Sequence, residues 1–422
     1  MKRRIGWALA LGALLALSGA AAGQKTVNFP DDALEQAIRE TVFIDRGAIY
    51  DYDVAWLTEF SATELGIESL EGLQYCTSLA TVILSGNNVS KLMPLTGAEA
   101  LVNVDLASND ISDVGPLGKL TNLRTLNLMG NDIANISPLE TLTRLETLDL
   151  RGNAIENLAA LSALTRLESL AFTCEGACSI APVHPLVRLT ALSLEIAGAV
   201  DLTALGAMDE LVSLELVSSE IADFEPLRRL PVLTELRLRD LDLADLVEII
   251  DVLPNLEVLG LADMDVASFL PISEFHALRR IYLENVSFGD LGILFDFPHL
   301  EALSLAGNDL TEVSALSTFQ DLVELDVSNN DIESIRPLAT LILLEVLNLS
   351  GNPISNLEPL ITLRALRSID LSGTDFADIG ILLLFNDLEY VNLADTSVST
   401  SAGSTAAGVI SQLREHGVEV DL

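Results

Sequence analysis

The chain has 422 residues, 50% of them hydrophobic, a mean hydropathy of +0.42 and a formal net charge of −39, from 62 acidic against 23 basic side chains. So acidic a body repels phosphate backbones and anionic membrane faces, which excludes nucleic acid and lipid surfaces as partners. The three cysteines and four histidines show no zinc-ligand spacing and there is no phosphate-cradling glycine loop, so the expectation is a non-enzyme with no cofactor and no metal site.

Residues 1–23 have the three parts of a secretory signal: Lys2, Arg3 and Arg4, an apolar stretch from Ile5 to Leu17, and small residues from Ser18 to Gly23. The apolar part is short for a membrane span. Export to a secreted or periplasmic location is expected, with no membrane insertion after cleavage; removing this segment leaves 20 basic residues against 62 acidic. Residues 24–56 read as a helical cap, because Pro30 with Asp31 or Asp32 marks a helix start and Leu34, Ala37, Ile38 and Val42 form one stripe. The helix is predicted near residues 31 to 43. Residues 57–78 are a degenerate repeat, one period ahead of Leu79.

From Leu79 to Leu388 the pattern Leu-x-x-Leu-x-Leu-x-x-Asn-x-Ile starts fifteen times, at intervals of 22 residues except for one of 23 after Leu233. Such a period signals a solenoid, in which each coil completes its core only against its neighbours. In Leu123 to Arg144, Leu126 and Leu128 alternate with Thr125 and Asn127 as a half-buried strand does. Asn131 turns inward to satisfy backbone groups at the bend, and Ile133, Ile136, Leu139 and Leu142 fill the coil. Over roughly residues 57 to 398 the pattern resembles the leucine-rich repeat proteins, in particular the 22-residue class of bacterial internalins and of a eukaryotic phosphatase-regulating subunit. The resemblance implies an α/β solenoid, a right-handed superhelix with a parallel β-sheet on its concave face, here of about 15 to 17 strands. The fifteen repeats occupy residues 79–400. Residues 401–422 read as a C-terminal cap, with a small-residue connection from Ser401 to Gly408, a helix turn from Val409 to His416 and a strand from Val418 to Leu422.

The inward asparagine slot divides the repeats. It holds Asn87, Asn109, Asn131 and Asn153, then Glu175, Ala197, Ser219, Leu241, Met264 and Val286, then Asn308, Asn330 and Asn352, with Thr374 and Thr396 last. The middle block also contains Cys174 and Cys178 in one short loop, where either a tight disulfide or two reduced thiols fits; Cys76 stands in a slot held elsewhere by Leu120 and Leu142 and reads as a buried small hydrophobe.

On the exposed sheet face both flanks alternate Asp with Asn, as in Asp105, Asn127 and Asp149, or Asp326, Asn348, Asp370 and Asn392. Interposed amides keep like charges apart, so this is read as a structural ladder in preference to a calcium or sugar site, for which the dense ligand sequence of a calcium loop is missing. The middle of the face carries longer side chains instead: Glu195, Glu215, Arg237, Arg239, Arg280, Tyr282 and Glu284. Tyr and Arg dominate interface energetics, and mixed charges at this spacing also suit cross-strand ion pairs. The expected function is a secreted, monomeric protein that binds another protein through this face. Two other readings stay open: a structural component of an envelope or extracellular matrix, and a regulatory subunit of an extracytoplasmic enzyme.

Overall fold

The computed structural model describes residues 25–422 apart from Glu175, Ala177, Ala222, 242–245, Asp251, Ala377 and Ala402, and describes only the backbone of Ser218, Ser219, Glu248 and Ile250. The signal-like segment and the slot residue Glu175 therefore lie outside the described residues. Two compact units make up the chain, Met1–Ala154 and Ile155–Leu422.

The first unit opens with the cap. Strands β1 (Thr26–Val27) and β2 (Ile49–Tyr50) pair antiparallel and frame helix α1 (Asp32–Val42); a four-residue helix α2 (Asp51–Val54) follows. Asp31 caps α1 by accepting from Leu34 N at 2.9 Å, while its other oxygen accepts from Glu68 N and Ser69 N at 2.8 and 3.0 Å. One carboxylate thus starts the helix and ties it to the degenerate repeat. Leu34 and Ile38 are buried, whereas Ala37 and Val42 of the same stripe are half-buried. Phe29 lies so close over Gly72 that a Cβ there would stand 2.3 Å from its ring, which makes glycine necessary at this contact. Strands β3 (Glu59–Ser61), β4 (Thr81–Ile83), β5 (Asn103–Asp105), β6 (Thr125–Asn127) and β7 (Thr147–Ile155) then pair in parallel, each residue against its homologue one repeat on.

The second unit continues with one strand per repeat: β8 (Ser169–Cys174), β9 (Ala191–Val200), β10 (Ser213–Ile221), β11 (Glu235–Arg239), β12 (Val258–Ala262), β13 (Arg280–Glu284), β14 (Ala302–Ser304), β15 (Glu324–Asp326), β16 (Val346–Asn348), β17 (Ser368–Asp370) and β18 (Tyr390–Asn392), ended by β19 (Glu419–Asp421). All twelve pair in parallel with their sequence neighbours within the unit. The one 23-residue repeat is absorbed before β12, since Arg237 still pairs with Gly260. The C-terminal helix runs over Thr405–Glu415 with Ser404 as N-cap, so it begins four residues ahead of the expected Val409. Two alanines and a glycine read as a connection are in fact its first turn, because the capping hydroxyl of Ser404 decides the start.

Most coils return through a short 3-10 turn, such as Ser137–Thr141, with proline preset at its first turn and Leu139 buried beneath; the 23-residue coil returns through an α-helical turn, Val247–Ile250, instead. Leucines of the strands are fully covered, Leu148 at 1% exposure and Leu126, Leu128 and Leu150 at 0%. Cys76 takes the same place as Leu120 and Leu142, each donating its N–H three residues back across a 3-10 turn, and burial pushes its thiol up to about 12.

The asparagine slot works as its chemistry demands. Asn131 Nδ2 donates to Leu106 O and Leu128 O at 3.0 Å each, and Oδ1 accepts from Ile111 N at 3.0 Å, so one amide joins its coil to the preceding one. Asn330 and Asn352 repeat the arrangement in the second unit. The residue ahead of the slot has positive φ in both units, as at Gly130 (66°), Asp263 (54°) and Asn329 (53°). Gly, Asn and Asp tolerate that conformation best.

Ala197 does not occupy an inward slot. In β9 the residue ahead of the slot, Ile196, has no positive φ and the chain runs on as strand to Val200, so alternation continues: Leu192, Leu194 and Ile196 face in, and Ala197 is exposed. Leu241, Met264 and Val286, by contrast, are buried in the slot behind left-handed Asp240, Asp263 and Asn285.

Candidate binding face

All seven side chains singled out on the middle of the face lie in the second unit, on β9 to β13. Strand alternation explains why they leave the core: each flanks a fully covered leucine or isoleucine, as Arg237 does between Leu236 and Leu238 and Tyr282 between Ile281 and Leu283.

Arg237 and Tyr282 come together although two strand spacings separate them. The register runs Arg237, Gly260, Tyr282 across β11, β12 and β13, and the guanidinium lies 4.6 Å from the centre of the Tyr282 ring. Gly260 makes this possible: a Cβ there would stand 3.1 Å from Arg237 Cγ and 3.5 Å from its Cβ. Arg237 therefore crosses β12 on a bare strip of backbone, and Gly260 is buried beneath it. Nε also holds Glu235 Oε1 at 2.7 Å. Burial pulls the Arg237 pKa down, but the hydrogen bond and charge of Glu235 and the nearby Tyr282 outweigh it and raise it overall. The Tyr282 hydroxyl is pushed up from its ordinary value by burial first and by Glu324 second, against the opposing pull of Arg237 and Arg280.

The remaining candidates have separate attachments. Glu195 accepts from Thr173 Oγ1, and Glu215 Oε2 from Ser193 Oγ at 2.7 Å. Arg239 Nε is 3.5 Å from Asp263, and Arg280 Nη2 is 4.0 Å from Glu301. Glu284 continues β13 beside Ala262. Cross-strand ion pairing was one reading of the mixed charges, and Arg239 fits it; Arg237 is register partner of Glu215 yet pairs with Glu235 on its own strand. Glu235, Gly260 and Ser304 are not among the residues that the sequence singles out. Glu235 precedes the first core leucine of its strand, and a glycine in a strand is itself a signal of close approach.

The flanking face from β15 to β18 is knitted to itself. Asn348 Nδ2 donates to Asp326 at 2.9 Å and Asn392 Nδ2 to Asp370 at 3.0 Å, while each Oδ1 accepts the backbone N–H two residues on. This is the structural ladder expected of alternating Asp and Asn. Cys174 and Cys178 are brought close enough to bridge, with Cα atoms 6.3 Å apart. Among the described residues no group of three or more His, Cys, Asp or Glu side chains could hold a metal ion, and no helix is long and apolar enough to cross a membrane.

A family model described as leucine-rich repeats in two copies matches residues 99–142 and 320–362. The functional domain of InlJ from Listeria monocytogenes superposes with a TM-score of 0.52 at 20% identity, over 88% of this chain and 81% of that one. The chain carries leucine-rich repeats and has an internalin-like fold. Two other Listeria monocytogenes structures are similar at lower scores: internalin C2, 27% identical over 58% of this chain and 100% of that chain (TM-score 0.45), and an internalin, inlF, 21% identical over 96% and 98% (TM-score 0.43). No characterised protein matches this leucine-rich repeat chain by sequence.

Proposed function

We propose that this protein is exported and binds another protein through the sheet face of β9 to β13, with Arg237 and Tyr282 as its anchors. The observation that carries the reading is the Arg237–Gly260–Tyr282 arrangement. A bare glycine lets a guanidinium lie against an aromatic ring in the open, held also by Glu235. Side chains fixed before binding lose less entropy when a partner arrives, and Arg and Tyr are the types that dominate interface energies. Internalin-like leucine-rich repeat folds are typically interaction modules, which agrees with this reading.

The test is capture by the protein without residues 1–23 from envelope and secreted fractions, at low and high salt. One stoichiometric partner, retained at high salt and lost with Arg237→Ala or Tyr282→Ala but kept with Asp370→Ala, is the expected result. Diffuse, salt-sensitive capture indifferent to these substitutions would instead support a structural role for the acidic body as a whole.

A further inference from the structure

Ser304 is out of place. It follows inward Leu303 on β14, so its side chain points to the sheet face, yet it is only 3% exposed, and its Oγ has no hydrogen-bond partner among the described residues. Its cover must come from neighbours on that face, of which Tyr282, its register partner on β13, is the largest. On the other side Asp326 is already engaged, Oδ1 with Ser328 N at 2.8 Å and Oδ2 with Asn348 Nδ2 at 2.9 Å. A buried hydroxyl without a partner is costly, and native proteins hold few of them.

Carboxylates flank this hydroxyl on both diagonals. Glu324 on β15 lies opposite Ala302, two residues before Ser304, and Glu284 on β13 lies two residues beyond Tyr282, so the two carboxylates stand diagonally about Ser304. Neither makes an ion pair among the described residues. Arg280, beside them, is drawn to Glu301. Arg237 takes one part of the Tyr282 ring from the β11 side; the β14 side faces Ser304.

We infer that the face over β13, β14 and β15 receives a lysine or arginine side chain of the protein partner, its stem against the Tyr282 ring, its charged head between Glu284 and Glu324 and donating to Ser304 Oγ. This rests on the reading that a protein docks on this face. Tilting of the Tyr282 ring off Ser304 admits the cation, and the orphan hydroxyl then gains a charge-assisted hydrogen bond. The ring adds cation–π attraction on its remaining side. A chain with so large an acidic excess selects cationic partners at long range, and this seat gives that attraction one address.

The probe is a fluorescein-labelled peptide, Gly-Lys-Gly-Lys-Gly, with its Nε-acetylated form as neutral control, titrated by anisotropy against the protein without residues 1–23 at near-physiological salt. Saturable binding of the charged peptide alone is expected. Tyr282→Ala, and separately the Glu284→Gln/Glu324→Gln pair, should weaken it about tenfold. Ser304→Ala should weaken it about threefold while Tm stays level or rises, since removing an unpaired buried hydroxyl does not destabilise. The Asp149→Asn/Asp370→Asn pair removes as much charge elsewhere and should leave binding within about twofold. Equal loss in that control, binding unchanged by Ser304→Ala, or equal binding of the acetylated peptide overturns the inference. The measurement needs no natural partner: if it fails while capture is still lost with Arg237→Ala, the docking face stands and only the cation seat falls. If the peptide binds as described but capture ignores Arg237 and Tyr282, the docking reading falls instead.

Discussion

Replacing Gly260 by alanine separates presentation of the anchors from stability of the fold. The added Cβ meets Arg237 Cγ at 3.1 Å and Cβ at 3.5 Å, so the arginine stem must rise off β12 and its guanidinium leave the Tyr282 ring, now 4.6 Å away. Loss of that contact costs about 0.5–1 kcal/mol at a half-exposed site. Against it, Gly→Ala in an extended strand lowers the entropy of the unfolded chain and contributes about 0.4–1 kcal/mol of stability. The two offset, and urea titration should find the variant within about 0.5 kcal/mol of the parent. Partner binding should not be spared: losing an arginine anchor costs about 1–3 kcal/mol, or roughly 5- to 150-fold in Kd. Gly260→Val should extend the trend, with binding weaker again. A destabilisation above about 2 kcal/mol would show that the glycine serves core packing, and unchanged binding would show that the position of Arg237 does not matter to recognition.

Three further outcomes check the rest of the structure. Leu148→Ala removes a side chain 1% exposed in the core column and should cost about 2–5 kcal/mol, whereas Thr147→Ala on the sheet face stays within about 0.5; equal effects in denaturant would mean that the strand phase is reversed. If Cys174 and Cys178 are bridged, the unreduced protein should bind no thiol reagent when native, because Cys76 is buried with its thiol pushed up to about 12, and one equivalent when denatured. Three equivalents would refute the bridge. Asp31→Ala should destabilise by about 1 kcal/mol at neutral pH. Burial pushes this carboxyl up, but the N–H groups of Leu34, Glu68, Ser69 and Ala33 outweigh burial and lower its pKa. A lowered folded value means the contribution is complete above the unfolded pKa of about 3.9 and is lost as pH falls through the folded one. The gap between parent and variant should thus be flat from about pH 5 to 8 and close in acid, and a gap independent of pH down to acid unfolding would contradict the cap.

What could be read in advance was whatever repeats. Fifteen leucine starts in phase placed the strands, the buried columns and the amide slot, because a period of 22 leaves each coil one way to stack on the next. Aperiodic choices were legible only in part. Ala197 escapes a count from the first leucine, because counting assumes that the left-handed turn is present; where Gly, Ser, Asn or Asp gives way to Ile196, the chain stays extended and the side chains up to Val200 change face, before Leu202 and Leu205 restore the phase. That isoleucine was the available clue. Gly260 and Ser304 were hidden differently. A glycine in a strand signals a close approach without saying of what, a serine signals nothing alone, and the meaning of both depends on which long side chains from neighbouring strands lie over them.

That dependence also explains why the candidate face falls in the middle block and not on the flanks. Asp and Asn between the two core leucines are short enough for Oδ1 to accept the N–H two residues on, as Asp105 does from Ala107 and Asp370 from Ser372, leaving the rest of the group to meet an adjacent strand or residue. Such side chains are tied down on the sheet and offer a partner little that is not already bonded. Glu215, Arg237 and Tyr282 occupy the same row but are too long for that local bond. Their ends find partners on other strands: Ser193 for Glu215 and Tyr282 for Arg237, which also holds Glu235 on its own strand. Reach of this kind bridges strands and leaves a charged or aromatic surface outward. The change of residue length along one row of the sheet therefore converts a self-satisfied ladder into a surface with chemistry to offer, and it does so without altering the parallel ladder of leucines beneath.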